Sequence, residues 1–244
     1  MEQFRIFGIK AIVLCFALFS HSTKAQDVES SNRKLSMKEK SIITIASLTA
    51  KGDLKKLKTE LNTGLEAGLS VNEIKEILIH TYAYCGFPRS IRGIQTFMEV
   101  LNDRKANGII DELGKEASPI NEEDNKYQRG KTILGQLTKT PQSNTLSGYS
   151  AFAPVIDTFL KEHLFADIFE RDILTYAQRE LVTISVISTI GNAEPMLKGH
   201  LSISLNVGIQ PEQLREFIGV IEPIIGTKKT KAAKEILTEV LKSK

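Results

Sequence analysis

Tryptophan is absent from the 244 residues, and there are only two cysteines, Cys15 and Cys85. No basic run interleaved with aromatics is present, and the formal net charge is only +3. Nucleic acid and anionic membranes call for a concentrated basic field, so neither partner is expected. The lysines are scattered and mostly alternate with acids, as on solvated helix faces. Sustained two-residue alternation with β-branched enrichment is also missing, which excludes a sheet-based fold. The apolar set AVILMFWYC still makes up 41% of the chain, enough to bury a sizeable core and too much for a disordered polymer.

Long hydrophobic runs are missing as well. The stretch Ala11 to Phe19 is apolar throughout, but a bilayer crossing needs about 20 such residues. Behind Arg5 and Lys10 it fits the h-region of a secretory signal. Thr23 and Ala25 supply small residues at the −3 and −1 positions, which predicts a signal peptide over residues 1–25 cleaved before Gln26. The expected location is then the periplasm or the cell exterior, with no membrane contact after cleavage. Processing would remove Cys15 and leave Cys85 alone. One thiol excludes an intramolecular disulfide and a two-cysteine redox centre.

The chain contains one unit twice. Ile42 to Ala46 registers with Leu181 to Ser185, and Gly52-Asp53 with Gly191-Asn192. After a one-residue insertion, Leu57 to Leu61 lies over Leu197 to Leu201, and Leu65 to Leu69 over Leu205 to Ile209. Glu73 to Ile77 then lies over Gln213 to Phe217, and the match persists to Gly86 and Gly226. Apolar falls on apolar and glycine on glycine, which makes this an internal repeat and decides the fold.

Each unit reads as helices. Leu54, Leu57, Leu61 and Leu65 recur at spacings of three and four, as do Ile74, Ile77, Leu78, Thr81 and Tyr82. Ser36 with Glu39, and Ser70 with Glu73, have the spacing of capping boxes. Gly68 and Gly208 stand where a left-handed residue would close a helix, and Pro211 suits the first turn of the next. Loops are expected over Asn107 to Pro119 and Thr138 to Gly148. They bracket a helix from Tyr127 to Leu137, and a further helix is expected from Phe152 to Phe169. The reading is an all-α chain with two tandem repeats, over 35–105 and 122–243, packed as a pseudo-symmetric pair.

Several of these segments resemble a known family. Arg179 to Ile184, Leu197 to His200 and Asn206 to Gly208, followed by a Pro/Glu-led helix, are similar to the carboxymuconolactone decarboxylase domain. The segment His80 to Pro88 resembles that domain's closing helix and its Tyr-x-Gly-Phe-Pro turn. Tyr127 to Gly130 resembles the stretch leading into the domain. The resemblance implies a compact all-α fold, assembly into trimers of two-repeat chains, and sites at helix-packing interfaces. It also implies one of two chemistries. One branch decarboxylates a lactone without metal or organic cofactor. The other, similar to alkyl hydroperoxidase D, is a thiol peroxidase with a Glu, a Cys-x-x-Cys pair and a His.

Carried over residue by residue, the Glu of that relay falls on Glu180 and the His on His200. The two cysteine positions fall near Asn192 or Ala193 and on Met196. In the first unit the matching residues are Ser41, Asp53, Lys56 and Glu60. Peroxidase chemistry needs an attacking and a resolving thiol, and neither unit has the pair. The second unit keeps Glu180 and His200 but not the closing-helix His. The first keeps His80 and the Tyr-Cys-Gly-Phe-Pro turn but not the Glu and His.

That complementarity predicts one composite site, with His80 and His200 within roughly 12 Å of each other, a span that a small acid and one or two waters bridge. His200, Glu180 and His80 are the candidate proton-transfer residues. Tyr84 and Arg89 are the candidates for binding substrate, Arg89 through a bidentate contact to a carboxylate. Their bland alternatives are a core histidine at His80, a helix-terminal acid at Glu180 and a solvated helix start at Arg89. Cys85 reads as a small packed residue. A straight helical hairpin leaves Glu180 about 15 Å and His200 about 7 Å from the Gly191 turn, so their direct contact does not follow from the sequence. No metal and no cofactor is expected, and the implied substrate is a small carboxylated lactone or organic acid. A peroxidase-type antioxidant protein and a non-catalytic binding or assembly module stay open beside it.

Overall fold

A computed structural model describes residues 34–120 and 125–243; the expected signal segment lies outside the described residues. Among these the chain is helical, with no strand. In the first unit, α1 (Met37–Lys51), α2 (Leu54–Glu66) and α3 (Val71–Ala106) follow in turn. Next come α4 (Lys126–Thr138), the short helices α5 (Tyr149–Phe152) and α6 (Pro154–Thr158), and a π-helix over Phe159–Phe169. The second unit holds α7 (Tyr176–Ile190), α8 (Glu194–Asn206), α9 (Pro211–Ile225) and α10 (Thr227–Lys242).

The helix boundaries follow the local chemistry. Ser36 with Glu39 and Ser70 with Glu73 form reciprocal capping boxes at α1 and α3, each satisfying two amides that the first helical turn leaves orphaned. Gly68 and Gly208 have φ of 87° and 99°, a left-handed conformation that costs a Cβ-bearing residue dearly. The predicted helix around Tyr127 is α4. The single helix expected over Phe152 to Phe169 is instead two short helices and the π-helix, with Pro154 opening the second of them.

Gly86 shows how closely the two units correspond. Its φ of 81° and ψ of 161° break α3 into two rods. Its counterpart Gly226, with φ 79° and ψ 163°, separates α9 from α10. That backbone region is open almost only to glycine. The first half of α3 therefore matches α9, and the second half matches α10.

The two units embrace rather than stack. Helices α1 and α7 form the centre, and each is buried on nearly every side, as an all-round apolar helix requires. α1 packs against α9 of the other unit, and α7 packs against α3 in the same way. Matching ion pairs tie these crossings. Glu216 meets Lys40 at 2.7 Å, and its counterpart Glu76 meets Arg179, the counterpart of Lys40, at 2.7 Å. One apolar core runs through both units, from Ile42 and Ile45 to Ile184, Leu201 and Phe217. Each such side chain contributes about 1.5–3 kcal/mol by leaving water, and that gain is shared across the two units.

A smaller cluster joins α4 and the π-helix through Ile133, Leu137, Leu164, Phe165 and Phe169, with Ile203 of α8 completing it. Gly130 makes the approach possible, since a Cβ there would stand 1.8 Å from the carbonyl oxygen of Lys161. This layer sets Phe169 edge-on against His80, with ring centroids 5.0 Å apart.

Candidate functional site

Three residues on successive turns of α3 start the site. Glu76, His80 and Tyr84 are four residues apart, so they line one face of the first half of the helix. Opposite them stand Arg179, Glu180 and Thr183 of α7, with His200 of α8 behind. The first unit supplies one wall and the second unit the other.

His200 Nδ1 lies 2.9 Å from one oxygen of Glu180 and 3.3 Å from the other. The carboxylate is fully buried and the imidazole is 15% exposed. A carboxylate only accepts, so His200 donates from Nδ1, and the bond leaves Nε2 as the nitrogen free to exchange a proton with a ligand. Glu180 is not a helix-terminal acid: it follows the first turn of α7 and is sealed in the core. The contact requires α8 to cross α7, where a straight hairpin would have kept the two residues apart. Asn192, at φ 54°, lies in the short turn that redirects the chain.

His80 is fully buried and both of its nitrogens are engaged. Arg179 Nη1 donates to Nδ1 at 3.2 Å, which leaves the proton on Nε2. Nε2–H then donates to Thr183 Oγ1 at 2.9 Å, and that hydroxyl donates to the Arg179 carbonyl at 3.0 Å. Burial, and then the Arg179 charge, hold the His80 pKa well below the usual histidine range. His80 is therefore neutral, and proton transfer to a ligand there must first break a bond already made. Arg179 is itself fully buried and pairs with Glu76, whose carboxylate also takes Arg171 Nε at 3.0 and 3.1 Å. A buried carboxylate shared by two guanidiniums is a satisfied one.

Tyr84 stands between the histidines. Its ring is 5.5 Å from His80 and meets His200 edge-on at 5.8 Å. The imidazoles are thus no farther apart than those two contacts laid end to end, inside the predicted span and within one chain. The Tyr84 hydroxyl is buried and makes no hydrogen bond among the described residues. Desolvation, reinforced by the Glu180 charge, pushes its pKa far up against the opposing Thr183 hydroxyl and Arg179 charge, so it keeps its proton near neutrality and can donate it in a hydrogen bond.

Arg89 is elsewhere. It lies beyond the Gly86 break and touches none of the site residues, lining a separate cavity with Cys85 and Lys51. Cys85 donates to the Thr81 carbonyl at 3.1 Å, and burial pushes its thiol up to about 11. No group of three or more His, Cys, Asp or Glu residues arranged to hold a metal ion is found among the described residues. Glu76, Arg179 and Thr183 were not singled out from sequence. Glu76 had a signal, as a charge one turn before His80 on an otherwise apolar face.

The sequence pattern of the carboxymuconolactone decarboxylase family matches two stretches, residues 19–96 and 154–239. An uncharacterized protein of Methanocaldococcus jannaschii is 28% identical over 74 residues, covering 30% of this chain and 69% of that protein. The aligned length is close to that of one unit.

Proposed function

We propose, from the premise that the chain belongs to the carboxymuconolactone decarboxylase family, that it is a cofactor-independent acid/base catalyst acting on a small carboxylated lactone or organic acid. The observation that carries this reading is the pairing of buried Glu180 with partly exposed His200. The carboxylate orients the imidazole, while Nε2 does the proton transfer. In a decarboxylation, the carbon–carbon bond to the leaving carboxylate breaks and its electrons pass to a conjugated carbonyl oxygen. The Tyr84 hydroxyl, proton-bearing and unspent, is the donor available to that oxygen. Protonated His200 then delivers a proton to carbon, and carbon dioxide leaves.

The peroxidase reading lacks its atoms. The positions its thiols would take hold Asn192, Ala193 and Met196, and Cys85 is a hydrogen-bonded thiol with little thiolate at neutral pH. Export with cleavage before Gln26, and assembly of two-unit chains into a trimer, belong to the same proposal.

A panel of small carboxylated lactones and keto acids, followed by carbon dioxide release, tests it. Wild-type protein should turn over at least one compound, and His200→Gln should lower that rate by about 10²–10⁴-fold, the usual worth of a positioned acid/base group. Equal rates for the two proteins would overturn the reading.

A further inference from the structure

A cavity of about 450 Å³ lies between the units. Its walls come in equivalent pairs under the repeat register: Ala50 with Thr189, Lys51 with Ile190, Cys85 with Ile225, and Arg89 with Lys229. Three cations line it, Lys51, Arg89 and Lys229, and no acid does. Some basic side chains elsewhere pair with carboxylates, Lys40 with Glu216, Lys58 with Asp103, Arg104 with Asp111 and Arg129 with Glu170. None of the three around the cavity forms an ion pair among the described residues.

Helix capping explains two of the cations in part. Lys51 donates to the Ile224 carbonyl at 2.6 Å, at the end of α9. Lys229 donates to the carbonyls of Thr189 and Ile190, at the end of α7. Each ammonium has donors left over. Capping does not explain Arg89. Its guanidinium lies across the α1 cap at Gly52, where a Cβ would stand 1.5 Å from Nη1, yet it makes no hydrogen bond among the described residues. Arg89 is exposed at the mouth of this cavity, and its planar fork, beside two ammonium groups and no acid, is suited to bidentate capture of a carboxylate or phosphate.

We propose that this cavity binds a small oxyanion, a dicarboxylate or a phosphate, held by Arg89 and Lys229. The volume suits a small ligand, and the site is distinct from the Glu180–His200 pair, so each can fail without the other.

Thermal unfolding of the full chain, titrated at constant ionic strength with succinate or with inorganic phosphate against chloride, tests this. The midpoint should rise by several degrees with one or both oxyanions and not with chloride. A response to succinate alone assigns a dicarboxylate, and one to phosphate alone assigns a phosphate. Arg89→Gln should weaken the response about tenfold or more, and His200→Gln should leave it intact. Should Arg89→Gln fail to fold, wild-type protein still decides. An uncharged thiol reagent should alkylate Cys85, on the cavity wall, more slowly with the oxyanion bound. A midpoint indifferent to oxyanions, or an Arg89→Gln response equal to wild type, overturns the proposal. So does unchanged alkylation of Cys85.

Discussion

Tyr84 brings a hydroxyl into a site where no neighbour is bonded to it. Leaving a polar group buried and unpaired costs about 1–3 kcal/mol. Tyr84→Phe should therefore raise stability in urea denaturation by about 1 kcal/mol or more, while slowing any turnover that uses the hydroxyl as a donor. A destabilised Tyr84→Phe would mean that the hydroxyl already has a partner. His80 makes a different prediction, through pH. Its pKa is depressed in the folded state, so below about 6.5 the unfolded chain binds a proton that the native chain refuses. The stability His80 confers is present above that pH and is lost as pH falls, at up to about 1.4 kcal/mol per unit. Stability–pH curves of wild type and His80→Gln should diverge in slope below pH 6.5; parallel curves would show that His80 is not held neutral.

At the scale of elements, capping boxes and glycines were legible because each acts through residues three or four apart. The repeat was legible because both copies retain the same apolar register. The Glu180–His200 contact was not, since the crossing of α7 and α8 depends on tertiary packing that a straight hairpin ignores. Arg179 stayed hidden for a related reason: a buried guanidinium is intelligible only once Glu76 is found opposite it on another helix. Apolar spacing over Phe159–Phe169 does not separate a π-helix from an α-helix. Gly130 sets intrinsic propensity against packing. In a free helix Gly→Ala gains about 1 kcal/mol, but here the new Cβ would meet the Lys161 carbonyl oxygen. Gly130→Ala should destabilise by about 1–3 kcal/mol and loosen α4 from the π-helix. A gain in stability would show that the two elements separate freely.

For the whole molecule, export is the feature most directly tested. Mass spectrometry of the protein from its native host should give a mature chain beginning at Gln26, and an intact Met1 terminus would sink the signal-peptide reading. Among the described residues, the shared core and the reciprocal crossings make the two units one cooperative body. Cutting between them would expose apolar faces of both α1 and α7.

The reciprocal crossing of α3 on α7 and of α9 on α1 is the geometry of a symmetric dimer written into one polypeptide. Such a dimer has two equivalent clefts, and any substitution in its gene alters both. Joining the copies covalently removes that constraint. At the second cleft, the places of Glu180, His200, His80 and Tyr84 are taken by Ser41, Glu60, Val220 and Ile224, where Thr44 simply donates to Glu60 at 3.1 Å. The two clefts of one pseudo-symmetric body therefore carry different chemistry, the Glu180–His200 pair and Tyr84 on one side and a carboxylate bound to a threonine on the other.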